Sequence, residues 1–247
     1  MSEIKLVSIN VEREKHWSTV LPFLEKESPD VVCVQELFLS DVPLVNLPFH
    51  HFVPNSQWID SKHQKPETVG VCVFSKKPFS NIQSLYYFGE PGTIPVFDPT
   101  SPATIRATWL RGIALAGIDN QFSIATTHGT WTPHGEAEAY QLEDIERLKK
   151  ILVDVGEHVL CGDFNIPRSK DPIANLLSQG YTDQIPSEYH GSMDMQFHRT
   201  RGTSEEAHVA TNMVDYLFTT PAYSARDVRL QDGVSDHKAI VATITRT

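Results

Sequence analysis

Apolar residues in this chain gather into short runs, and each run stops at or beside a polar side chain. "IKLVSINV", "VVCVQE", "TVGVCVFSK", "QFSIATTHG", "HVLCGDFNIP", "NMVDYLFTT" and "HKAIVATIT" have the length and β-branched content of strands. Helical spacing shows in fewer places. Trp17, Val20, Leu21 and Leu24 share a face in "EREKHWSTVLPFLEKES", with Pro22 an awkward interior residue and "SPD" at 28–30 as the stop. "PHGEAEAYQLEDIERLKKILVDVG" is the clearest helix. Leu142, Ile145, Leu148 and Ile151 form its apolar face, acids cluster early, and Lys149 and Lys150 come late, as the helix dipole favours. "DPIANLLSQG" is a shorter helix ended by Gly180.

The chain opens with strand, helix and strand, a crossover unit. Residues 40–66, rich in Pro, His and Asn, read as loop, and the Pro- and Gly-dense 89–104 as a surface loop. "IRATWLRGIALAG" and "QFSIATTHG" flank "IDN" as the two arms of a hairpin. The polar stretch 182–211 takes no assignment. Many strands with few helices, mostly hairpin-connected, predict an α+β sandwich in one domain over residues 1–247.

Composition adds limits. The chain of 247 residues is long enough to bury a core without staples. Its net charge of −10 supplies no long-range attraction for polyanions, which leans away from an extended nucleic-acid or membrane-surface footprint. Cys33, Cys72 and Cys161 each sit inside an apolar run without CxxC spacing, the pattern of buried free thiols rather than a disulfide framework or a thiolate zinc site. With no secretion leader and no membrane-length apolar run, the expectation is a soluble cytoplasmic protein.

The residues that end the strands carry the chemistry. They are Asn10, Glu36, His128, Asp163 with Asn165, and Asp215, while Asp236 and His237 precede the last strand. Each alone has a structural explanation: a turn former, a solvated strand end, a satisfied histidine. Asp163 and Asn165 share a face if the strand continues, or form an Asx turn if it does not. The repetition argues for a site, because sequence logic tends to break at functional positions. The set is oxygen-rich and free of sulfur, which suits Mg²⁺ or Mn²⁺, with imidazoles as acids or as cationic partners of a phosphate. Zinc has no HExxH or closely spaced Cys/His set to support it.

In this order, "SINV", "VVCVQE", "TTHGTW", "LCGDFNIP", "MVDYLF" and "VSDHKAIV" resemble the endonuclease/exonuclease/phosphatase superfamily, the deoxyribonuclease I-like fold, over residues 8–241. The resemblance implies a four-layer α/β/β/α sandwich with two central, mostly antiparallel sheets and a site at one edge of them. It also implies Mg²⁺-dependent phosphoester hydrolysis. Glu36 is then similar to the principal metal ligand, with Asn10 beside it and Asp236 near the metal. Asp163 corresponds to the group that positions or deprotonates the attacking water, and Asn165 to the holder of a phosphate oxygen. His237 donates to the phosphate, oriented by Asp215. His128 stands across the phosphate as donor or leaving-group acid, with Glu67 as its matched supporting carboxylate.

Two departures bear on substrate. Met213 stands where family members often carry an Arg, and His128 where abasic-site endonucleases carry a Tyr, which disfavours that branch. Trp131 and His134 beyond the histidine either stack on a base or headgroup or simply cover the sheet edge. The leading expectation is a monomeric phosphodiesterase or phosphatase acting on a small phosphoester or a short nucleic acid. A nuclease of the same superfamily is the alternative, and a non-catalytic binding protein on this fold is the alternative of another class.

Overall fold

The computed structural model describes residues 2–59, 65–132 and 138–247, so His134 and the first residues of the longest expected helix lie outside it. In chain order the elements begin with β1 (Glu3–Asn10), α1 (Trp17–Glu27) and β2 (Val31–Phe38), then β3 (Phe49–Ile59), β4 (Pro66–Ser75) and β5 (Phe79–Phe88). They continue with α2 (Pro102–Ala107), β6 (Arg111–Ile118), β7 (Phe122–His128), α3 (Ala139–Val155), β8 (Val159–Asp163) and α4 (Asp171–Leu177). The last are β9 (Thr182–Asp183), α5 (Glu206–Val209), β10 (Asp215–Thr219), β11 (Tyr223–Gln231) and β12 (Ala239–Arg246).

These strands form two six-stranded sheets, β11-β12-β1-β2-β4-β3 and β5-β6-β7-β8-β10-β9. Of the strand pairs within these sheets, only β1·β2 and β7·β8 run parallel; the others are antiparallel. Side chains alternate as a pleat requires. On β1, Ile4 and Leu6 join the core between the sheets, while Val7 and Ile9 turn outward under Trp17, Val20, Phe23 and Leu24 of α1. The second sheet is covered by Ile145, Leu148 and Leu152 of α3 and by Ile173 and Leu176 of α4. Every residue of β8 is buried, as expected of a strand with both faces covered. The result is the expected α/β/β/α sandwich.

Local readings needed correction. α1 starts at Trp17, not at residue 12: Glu12 and Arg13 have φ of 45° and 65° and belong to a tight loop, and the helix then continues through Pro22. The supposed loop 40–66 overlaps a 3-10 helix at Leu39–Leu44 and contains the whole of β3. "IRA" closes α2, whose Ser101 and Thr104 make a capping box, so β6 begins only at Arg111. The β6–β7 hairpin turns on Asp119 and Asn120, both at φ 54°, the positive values of a type I′ turn. On α3, Leu142 is 39% exposed, and the buried residues are Gln141, Asp144, Ile145, Leu148 and Leu152. Within 182–211 lie β9 and α5.

Candidate active site

Register sets up the site. His128 and Asp163 are Cα partners at the ends of parallel β7 and β8, and Asp215 faces Asp163 from antiparallel β10. Gly162 (φ 139°) and Gly129 permit this crowding. A Cβ at Gly162 would stand 2.1 Å from the Thr127 carbonyl oxygen, and one at Gly129 2.1 Å from that of Phe164. Across the gap, Asn10 ends β1, and β2 bulges between Val34 and Leu37, with Glu36 at φ 52°. The bulge buries Gln35, which donates to Ser8 and Thr126, and re-aims Glu36 beside Asn10.

The two sheets meet through Asn10. Its Nδ2 donates to Asp163 Oδ2 at 3.1 Å and to Glu36 Oε1 at 3.3 Å, while its Oδ1 accepts from the Glu12 amide. β8 does not continue past Asp163. Asn165 adopts φ 54° and its N–H donates to Asp163 Oδ1 at 2.8 Å, an Asx turn. The turn nevertheless swings the Asn165 carboxamide inward, where Nδ2 donates to His128 Nε2 at 2.9 Å. His237 reaches Asp215 Oδ2 through Nδ1 at 2.8 Å, with Nε2 3.8 Å from Asp163 Oδ2. All eight expected residues therefore lie around one centre, with Asp236 entering beside His237.

Charge within the cluster is uneven. Burial pushes the Asp163 carboxyl upward, but His237 and His128 outweigh it and hold it below the ordinary range. Burial opposes charge on His237, and Asp215 and Asp163 reverse this, holding the imidazole well above its usual value. Burial raises Asp215, with His237 partly opposing. Asp236 is pushed up to about 6 by burial against the pull of His237, and Glu12 and Glu36 add to the rise.

Several participants had no clear sequence signal. Glu12, read as the start of a helix, stands 3.1 Å from His16 Nε2, which is 3.9 Å from Asp236 Oδ1. Arg13 pairs with Glu36. Buried Arg111, its guanidinium pushed down to about 10 by burial, donates to Thr130. The unassigned 182–211 stretch supplies Met193, which pairs with His237, and cavity residues His198 and Arg199, the latter over the Trp131 ring. These line a cavity of about 210 Å³ that also contains Asp163, Asn165 and His128. Glu67 does not support His128: its Oε1 accepts from the Ser40 amide, and buried His128 Nδ1 has no hydrogen-bond partner. What meets the His128 ring is Trp109, edge-on at 5.2 Å.

Among the described residues, two clusters have donor atoms within 4.8 Å of one another: Glu12, His16 and Asp236, and Asp163, Asp215 and His237. The second is already balanced by an imidazolium. In the first, Arg13 and Lys15 already pair with Glu12, and Arg13 with Glu36, but Asp236 is still raised by those two acids, so a divalent cation there would relieve Asp236 and its donors fit one.

Known proteins add to this. The model of the Endonuclease/Exonuclease/phosphatase family matches residues 7–237. An endonuclease/exonuclease/phosphatase structure from Beutenbergia cavernae superposes with a TM-score of 0.70 at 16% identity, covering 100% of this chain and 72% of that one. A mannosyl-6-phosphatase from Bacteroides thetaiotaomicron gives 0.66 at 13%, with 98% and 99% covered. A 3′ phosphatase from Neisseria, solved with a product DNA hairpin, gives 0.64 at 21%, with 97% and 98% covered. No curated protein matches the sequence. No helix of the described residues is long and apolar enough to cross a membrane.

Proposed function

The chain belongs to the endonuclease/exonuclease/phosphatase family, and from that premise we propose that it is a Mg²⁺- or Mn²⁺-dependent phosphoesterase acting on a small phosphoester or a short nucleic acid. The observation that carries this reading is the Asn10 bridge, which joins the acidic Glu36 side to buried Asp163 within one cavity.

Glu36, Asn10 and Asp236 would hold the ion, with Glu12 in reach. When bound, it supplies Lewis-acid polarisation of the phosphoester and neutralises its charge. Asp163 positions the attacking water and takes its proton; the donors Asn10 and Asn165 fix both carboxylate oxygens for that task. His237, kept cationic by Asp215, and the Asn165 amide stabilise charge that builds on the phosphoryl oxygens. As water bonds to phosphorus and the ester P–O bond breaks, His128 gives a proton to the departing oxygen.

Hydrolysis of bis-p-nitrophenyl phosphate, p-nitrophenyl phosphate, sphingomyelin, RNA, and single-stranded and duplex DNA, with Mg²⁺, Mn²⁺ or EDTA, tests the reading beside Asp163→Asn. Metal-dependent turnover lost in the variant supports it; turnover that survives EDTA or the substitution sinks it. A nuclease of the same superfamily is the second reading, since the Neisseria 3′ phosphatase binds a DNA hairpin on this fold. The binding-protein alternative has little to recommend it, since a scaffold has no need of this polar set. The proposal includes a monomer in a reducing compartment such as the cytoplasm, which suits three buried free thiols.

A further inference from the structure

One wall of the cavity is a continuous chain of rings between the two halves of the site. Arg13, paired with Glu36, lies over the Trp58 ring at 4.2 Å. Trp58 stacks on Phe97 at 4.8 Å and 17°, Phe97 meets Trp109 edge to face at 5.4 Å, and Trp109 meets His128 in the same way at 5.2 Å. The middle of this chain is held by main-chain bonds. Gln57 N–H donates to the Pro95 carbonyl at 2.7 Å, Phe97 N–H to the Gln57 carbonyl at 2.8 Å, and Asp98 N–H to Thr108 Oγ1 at 2.9 Å. Ser56 Oγ lies 2.7 Å from the Thr108 carbonyl oxygen and 3.0 Å from that of Pro95, with one hydroxyl proton shared between the two acceptors. A segment stitched in this way is a fixed wall, not a swinging lid.

The cavity behind the wall, about 210 Å³, is small beside the roughly 300–1,000 Å³ of ordinary ligand pockets. Trp131, with Arg199 over its ring, stands in the same cavity. We propose that Phe97 is a specificity-determining residue: it is the keystone of an aromatic arch that admits small or chain-terminal phosphoesters and shuts out phosphodiesters inside a polymer. The inference rests on the phosphoesterase reading and narrows its substrate class. An internal diester must pass chain on both sides of the reacting phosphorus, and the arch occupies one of those sides. A chain-terminal phosphate or a small monoester needs passage on one side only, and its organic part gains an aromatic surface.

The test compares p-nitrophenyl phosphate, which carries its organic group on one side of phosphorus only, with a covalently closed single-stranded DNA circle, which has no ends, in the wild type, Phe97→Leu and Phe97→Ala. The wild type turns over the small ester and spares the circle. Phe97→Ala raises KM for the small ester with little change in kcat, and its preference over the circle falls by about tenfold or more. Phe97→Leu lies between. A circle cut by the wild type as readily as the small ester, or an unchanged preference in Phe97→Ala with an unchanged unfolding temperature, overturns the assignment. A second readout is independent of turnover. In Asp163→Asn, p-nitrophenyl phosphate quenches tryptophan fluorescence and the circle does not, and adding Phe97→Ala narrows the difference. If no substrate is hydrolysed, the phosphoesterase reading fails by itself, and this binding contrast still decides the arch; equal quenching by both probes overturns it.

Discussion

A buried histidine lies near each end of β8, and the two have opposite electrostatic fates. His158, just before the strand, is 1% exposed, and His237, beside its far end, is 6% exposed. The hydrogen-bond partners of His158 are neutral, Nδ1 donating to the Gly156 carbonyl at 2.7 Å and Nε2 meeting the Tyr181 hydroxyl at 2.9 Å, and the Glu157 carboxylate next to it only partly opposes burial. Burial therefore dominates and lowers its pKa. Around His237 stand Asp215, Asp163 and Asp236, which overcome the same desolvation and raise it far. Burial sets only the cost of charge; the neighbours decide whether it is met. One end of the strand is thus a fold joint and the other a charged site.

The strongest way to break this contrast is Asp163→Asn. The carboxamide keeps the shape but removes a negative charge that faces both His237 and His128. Turnover should drop by about 10³-fold or more, while urea unfolding shows a folded protein. Asp215→Asn comes next. It leaves His237 in place but removes its closest anion, so kcat should fall by about 10²-fold while the metal titration midpoint stays put. A midpoint that moved as far as kcat would mean that the imidazole side and the acidic side are not separate.

Glu36→Gln probes the acidic side directly. The midpoint for Mg²⁺ or Mn²⁺, read by calorimetry, should rise about 10–100-fold. An unchanged midpoint would remove Glu36 from the ion's ligands and leave Arg13 as its functional partner.

The site was more legible in the sequence than the fold that carries it. β1, β2, β4, β7, β8, β10 and β12 lie inside the sheets and read as apolar runs closed by a polar residue, so Asn10, Glu36, His128 and Asp163 announced themselves. The strands that escaped notice, β3, β5, β9 and β11, are the four sheet edges. Edge strands face solvent and carry bulges, which erases the run. β5 is exposed along most of its first half, β11 shifts register between Arg226 and Arg229, and β3 shifts next to Pro54. In β3 the buried polar residues also misled: Asn55 and Ser56 look like loop residues, yet each donates to a carbonyl of the 95–110 stretch. The arch was invisible for the same reason, since Trp58 sits on that edge and Phe97 on the loop stitched to it. The Glu67 assignment failed because proximity in a motif says nothing about where a flexible carboxylate finds its donor.

The smallest expected effect belongs to the neutral end of β8, and it carries a sign. His158 has a folded pKa below its ordinary 6.5, so over the interval between the two values the unfolded chain binds a proton that the folded protein does not. Stability then rises with pH through that interval, is complete above it, and is lost as pH falls below about 6.5. The urea midpoint of the wild type should therefore drop between pH 7 and pH 5 by more than that of His158→Gln. At pH 7 the variant should cost only about 1 kcal/mol, the scale of a lost hydrogen bond. His237, with its raised pKa, contributes with the opposite sign, which is why the substitution and not the wild-type curve alone isolates the fold joint. Equal drops in the two proteins would show that His158 is already protonated at pH 7, or that Tyr181 yields to it without cost, and the contrast between the two ends of β8 would disappear.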